Sequence, residues 1–112
     1  MKKIEAIIRP SKVGEVIAVL SRVGHPGVMI TEIEGHGAQN GLEAHVRGKM
    51  YKVSLLTKAR LEVIVKDSSV PMIIKAIRDA AFTGKVGDGK IFIYPVENAV
   101  RIRTEEQGEI AV

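Results

Sequence analysis

Residues 83–93 read Thr-Gly-Lys-Val-Gly-Asp-Gly-Lys-Ile-Phe-Ile, with Gly84, Gly87 and Gly89 falling inside six positions. Glycines let backbone N–H groups approach a ligand closely, and Lys85 and Lys90 add positive charge. Amides and cations in this combination form a nest for an anion, phosphate above all. Gly84 through Lys90 also satisfies the G-x-x-x-x-G-K part of a P-loop, but Ile91 stands where a P-loop carries its magnesium-holding Ser or Thr. The context is reversed as well, because a helical pattern precedes this loop and a strand pattern follows it. P-loop NTPase chemistry is therefore excluded. Two readings remain from the loop alone: a phosphate cradle, or an ordinary helix C-cap and turn.

Other chemistries find less support. His25, His36 and His45 lack metal-pair spacing, and no cysteine is present to join them, so disulfides and thiolate metal sites are excluded. Glu62 and Asp88 form no acid–base machinery without a nucleophile or a positioned histidine, and no catalytic residue is assigned. Aromatic residues make up 4% of the chain, too few for a base-stacking RNA-binding sheet, so no nucleic-acid partner is expected.

The elements that must position the glycine loop come in two copies of one unit. Lys2 to Arg9 reads as a strand, and Ser11 as a helix N-cap. Val13, Val16, Ile17 and Leu20 follow at i, i+3, i+4, i+7 on one helical face. Gly24 to Gly27 ends that helix, and a strand from Val28 to Glu34 follows. The second unit has a strand from Arg60 to Lys66, cap candidates at Asp67, Ser68 and Ser69, and a helix with Val70, Ile73, Ile74 and Ile77 on its apolar face. The glycine loop ends this helix, and Ile91 to Tyr94 is the last strand. Two βαβ units predict an α+β, ferredoxin-like sandwich with both helices on one face of a four-stranded sheet.

The connection over 35–57 is long, polar and dotted with glycine. It reads as a surface insertion or a partner-binding loop, with strand character in Met50 to Leu56 leaving a protruding hairpin open. Strand residues of both parities are apolar, so both sheet faces call for burial, which a homo-oligomer supplies. The whole chain of 112 residues is read as one domain, with the long loop at 35–57, the glycine loop at 82–90 and a C-terminal segment at 95–112. A hydrophobic fraction of 46% excludes disorder, and neither a signal-peptide pattern nor a membrane-length apolar run is present, so the expected setting is cytoplasmic without membrane insertion. A net charge of +4 suits an anionic small ligand but decides nothing by itself.

Taken together, the segments MKKIEAIIRP at the N-terminus, Gly35, Gly37, Gln39, Gly41, Arg47-Gly48, Tyr51, and above all TGKVGDGKIFIYPVENAVRIRT at 83–104, resemble the PII nitrogen-regulatory signal proteins. The resemblance covers essentially the whole chain. It implies a compact homotrimer with a nucleotide cleft between neighbouring subunits, binding ATP or ADP, and a non-enzymatic signalling role. Nucleotide contacts are implied for Ile7, Met29, Gly37, Ile64, Gly87, Asp88, Gly89, Lys90, Arg101 and Arg103. Arg101 and Arg103, read as lying in an extended segment, would project to one side and converge on a polyphosphate. Lys58, Gln39 and Gly87 match positions that bind 2-oxoglutarate, and Gln39 also matches a ligand to Mg2+ held with the ATP phosphates. The long loop corresponds to the T-loop, which docks on an ammonium transporter, a nitrogen-metabolism enzyme or a regulator. Arg47, Lys49 and Tyr51 are its docking candidates.

Departures from the family pattern concentrate around that loop. Ala38 stands in place of an arginine, Asn40 of a frequent lysine, Met29 of a threonine and Phe82 of a frequent arginine. Losing cations at 38 and 40 is expected to weaken phosphate attraction or shift the preference between ATP and ADP. Tyr51 matches a uridylylated tyrosine, but Lys49 and Met50 alter its surroundings, so modification and simple docking both stand. An alternative function follows from the same departures: an adenylate-energy sensor without a 2-oxoglutarate response, acting on a partner outside nitrogen metabolism.

Overall fold

A computed structural model describes the backbone of residues 1–25, 27–46 and 49–112, and the side chains among these outside 35–55. Arg47 lies outside the described residues, as do the side chains of Gln39, Lys49 and Tyr51.

The strands are β1 (Lys2–Ile8), β2 (Met29–Val46), β3 (Lys49–Val65) and β4 (Lys90–Pro95), with helices α1 (Val13–Arg22) and α2 (Val70–Ala81). They form one antiparallel sheet in the order β2-β3-β1-β4. This is the double βαβ arrangement expected from the repeated unit.

Register explains the core. Ile4, Ala6 and Ile8 pair with Val63, Leu61 and Ala59, so all six side chains share one face. They are buried there with Val65, under Val16 and Leu20 of α1 and Ile73, Ile77 and Ala81 of α2. Val13, Ile17, Val70 and Ile74 pack at its margin, completing the two apolar helix faces. Ile73 is fully buried, and truncating it leaves a cavity the rigid sheet cannot fill. Ile73→Ala is expected to cost about 2–5 kcal/mol, read as a lowered urea midpoint with an unchanged slope.

The opposite face is mixed rather than apolar. Glu5 sits directly across from Glu62, a destabilising pair of like charges. Lys3 stands 3.8 Å from each, and Arg60 Nε lies 3.0 Å from Glu62. Ile7 and Ile64 are half-buried on this face beside exposed Met29, Phe92 and Tyr94. Apolar groups alone therefore do not account for it, because a charged network occupies its centre.

Three expectations are corrected. The second and third strands run well past Glu34 and begin well before Arg60, pairing as a hairpin from Gly35↔Leu56 to Val46↔Lys49. Regular pairing breaks between Gly37↔Ser54 and Leu42↔Val53, leaving residues 38–41 outside the ladder. The glycines and the missing period-2 alternation left the hairpin as only one of the readings of this stretch. Ser11 is not an N-cap: it lies in a 3-10 turn, Pro10–Lys12, and α1 begins after Lys12 without a side-chain cap. Ser69 does precede α2 but makes no capping bond, while Asp67 pairs with the Met1 amine at 2.9 Å, which lowers its carboxyl pKa.

The end of α1 follows its sequence signal. Gly24 takes φ +87, His25 N–H donates to the Leu20 carbonyl at 2.8 Å and Gly24 N–H to Ser21 at 3.1 Å. That pair of bonds is a Schellman close, which glycine makes without steric cost.

Candidate functional site

The glycine loop joins the C-terminus of α2 to the start of β4, and three of its residues take positive φ: Gly84 (+86), Gly87 (+104) and Gly89 (+102). Gly89 also passes so close to β1 that any Cβ would overlap the Ile7 carbonyl. Only glycine meets both demands, so the spacing read from the sequence is required by the backbone.

Side chains fix the loop from inside. The Asp88 carboxylate accepts the Thr83 N–H and the Gly84 N–H, each at 2.9 Å, the Thr83 hydroxyl, and Arg9 Nε at 3.2 Å. Four donors use up what a carboxylate can accept. They hold its pKa far below the usual carboxylate range, with the Thr83 hydroxyl the largest cause and Arg9 a smaller one. Arg9 Nη2 also donates to the Val86 carbonyl at 2.9 Å, and Lys58 Nζ to the Gly87 carbonyl. Two cations, from the end of β1 and from β3, thus gather at the loop.

Beside the loop lies a cavity of about 430 Å³, walled by Ile7, Leu56, Lys58, Val86, Gly87, Gly89, Lys90 and Phe92. A second, of about 300 Å³, opens on the other side of the loop between α2 and β4, with Ile77, Arg78, Phe82 and Lys90 in its wall. Arg78 stacks on the Phe82 ring, 4.2 Å from its centroid. Backbone amides, an apolar wall and two lysines, Lys58 and Lys90, make the first cavity suited to a ligand with an apolar part and an anionic part.

Of the residues marked in the sequence, Ile7, Lys58, Gly87, Asp88, Gly89 and Lys90 come together here. Met29, Ile64, Arg101 and Arg103 do not, and neither cavity has them in its wall. Ile64 pairs with Lys3, four residues from the level of Ile7, and Met29 sits on the edge strand opposite Glu62. Arg101 and Arg103 follow β4, which starts at Lys90 and ends beside Lys2; its five steps span roughly 16 Å. The segment carrying them is a turn and not extended. Glu105 N–H donates to the Arg101 carbonyl at 2.8 Å, Arg101 N–H to Glu106 at 2.9 Å, and Glu105 takes φ +62. Arg101 Nη1 pairs with Glu106 at 3.3 Å. The sequence repeats Arg-x-Arg in strand spacing, but the local hydrogen bonds around Thr104 and Glu106 fold it back.

Arg9 and Thr83 were not among the marked residues. Arg9 looked like the last residue of a strand, and nothing local ties it to a loop 79 positions away. Thr83 carried a weak signal, since a hydroxyl before a glycine turn commonly bonds within that turn. Gly37 pairs with Ser54 at the foot of the hairpin. Among the described residues no group of acidic and histidine side chains is arranged to hold a metal, and none of the helices is long and apolar enough to cross a membrane.

Comparison with known proteins places this architecture. The family model described as nitrogen regulatory protein P-II matches residues 1–106. Nitrogen regulatory proteins P-II of Azospirillum brasilense and Haemophilus influenzae are each 51% identical to the chain over 112 residues, covering all of both sequences. The crystal structure of Arabidopsis thaliana PII bound to citrate superposes with a TM-score of 0.82 at 35% identity, across 99% of this chain and 91% of that one. Fold, loop and full-length identity agree: the chain belongs to the P-II nitrogen regulatory protein family, whose members are regulators and not enzymes.

Proposed function

We propose that the chain senses small metabolites, binding ATP or ADP in clefts between the subunits of a homotrimer. The observation that carries this reading is the division of the implied nucleotide residues. One end of the sheet carries Ile7, Lys58, the glycine loop and Lys90, while Met29, Ile64 and the arginine turn belong to other parts of the chain. A neighbouring copy would bring Arg101 and Arg103 to the loop of the first, completing a phosphate site that one chain leaves half-built. The mixed open face, with Phe92, Tyr94 and the Lys3–Glu5–Glu62–Arg60 network, suits burial against such copies.

Lys58, at the foot of the hairpin and against the loop, supports a second anionic ligand beside the nucleotide. 2-Oxoglutarate is that ligand by family resemblance, with Gln39 completing the shell of a Mg2+ held on the ATP phosphates. That a plant relative has been solved with citrate is in keeping with carboxylate recognition. The hairpin over 35–57, continuous with the strands that carry Met29 and Lys58, is the element to pass occupancy to a protein partner through Arg47, Lys49 and Tyr51. That partner is an ammonium transporter, a nitrogen-metabolism enzyme or a regulator, and the setting is the cytoplasm.

One observation favours a narrower role as an adenylate sensor. Residues 38–41, outside the regular ladder, carry Ala38 and Asn40 where the family's usual cations would face an anion. Calorimetry of 2-oxoglutarate with and without Mg-ATP separates the two. The sensor of both metabolites binds 2-oxoglutarate only when Mg-ATP is present, whereas nucleotide binding without any 2-oxoglutarate heat identifies the adenylate sensor.

A further inference from the structure

The Asp88 side chain has a job that its place in a phosphate loop does not suggest. An aspartate beside a bound polyphosphate is electrostatically unfavourable unless its charge is spent elsewhere. Here it is spent inward, on Thr83 N–H, Thr83 Oγ1, Gly84 N–H and Arg9 Nε. Lys85 N–H is taken as well, by the Thr83 hydroxyl at 3.2 Å. The amides of Thr83, Gly84 and Lys85 are therefore consumed within the loop, the first two by the Asp88 carboxylate and the third by the Thr83 hydroxyl. The amides of Gly87 and Gly89 donate to no group among the described residues. Arg9 holds the same loop a second time through the Val86 carbonyl.

We infer that Asp88 is a positioning residue: an internal anion that, with Thr83 and Arg9, latches the first half of the loop and leaves the amides of Gly87 and Gly89 to the phosphates. With all its acceptor sites filled, the Asp88 carboxylate touches neither phosphate nor magnesium. The inference rests on the nucleotide reading above and adds to it a division of labour within the loop. Because the folded carboxyl is held well below its ordinary value near 4, the latch is intact above that value and opens only in strong acid.

The test uses the full chain with Asp88→Asn, Thr83→Val and Thr83→Ser, titrated with Mg-ATP and separately with adenosine. Thr83→Val and Asp88→Asn are expected to weaken Mg-ATP by about tenfold or more while adenosine is unaffected, since only phosphate contacts depend on the latch. Thr83→Ser, which keeps the hydroxyl, should return Mg-ATP to within about threefold of the parent. Unchanged Mg-ATP binding in both disabling variants would overturn the inference, as would a parallel loss of adenosine. If the parent itself bound no ATP, the nucleotide reading would fall. Amide exchange at Thr83 and Gly84 would then judge the latch alone: faster exchange in Asp88→Asn supports it, and equal exchange overturns it.

Discussion

Gly89→Ala is expected to abolish nucleotide binding and to destabilise the fold. The substituted Cβ would overlap the Ile7 carbonyl oxygen and stand 2.8 Å from its carbon, and both are backbone atoms of a central strand. No side chain can swing away to relieve that overlap. The φ of +102 adds a penalty of roughly 1–3 kcal/mol for a residue with a Cβ. Relief requires β4 to part from β1 at Lys90↔Ile7, which moves Lys90 and the Gly87 amide away from the cavity. Calorimetry of the variant with Mg-ATP should give no detectable heat, and its thermal midpoint should fall. Gly14→Ala is the control, because nothing lies within 4 Å of that Cβ and the site is helical. Its stability should rise by up to about 1 kcal/mol, with nucleotide binding intact.

What the sequence conveyed depended on whether neighbours in the chain were also neighbours in space. Val13, Val16, Ile17 and Leu20 announce a helix because a solvent-to-core gradient crosses it, and the sheet beneath confirms their face. The sequence beyond Glu34 shows no such periodicity, so the hairpin stood beside a loop as one of two readings, although its strands pair for most of their length. The same contrast runs through the site. Gly84, Gly87 and Gly89 were legible because backbone geometry alone demands glycine there. Arg9 was not, since its partners lie 77 and 79 residues away and only the closing of β1 against β4 brings them near. Arg101 and Arg103 showed the reverse failure: their spacing suggested a strand, while the bonds of Thr104 and Glu106 make a turn.

That turn bears on the central claim, a phosphate site shared between copies. Lys90 opens β4 beside the cavity, and Arg103 follows β4 at its far end, exposed in the turn. Each is expected to supply a charge-assisted contact to phosphate, so Lys90→Ala or Arg103→Ala should weaken Mg-ATP by about 10–100-fold. Single variants do not reveal whether the two residues act from one chain or two, but mixing them does. In a cyclic trimer containing both variant chains, one interface joins the intact Lys90 of one copy to the intact Arg103 of the next. The decisive measurement is therefore Mg-ATP calorimetry on trimers refolded from an equal mixture of Lys90→Ala and Arg103→Ala chains. A shared site predicts parental affinity at about a quarter of the sites. A mixture that binds as weakly as either variant alone would place both residues in one chain's own site and contradict the account.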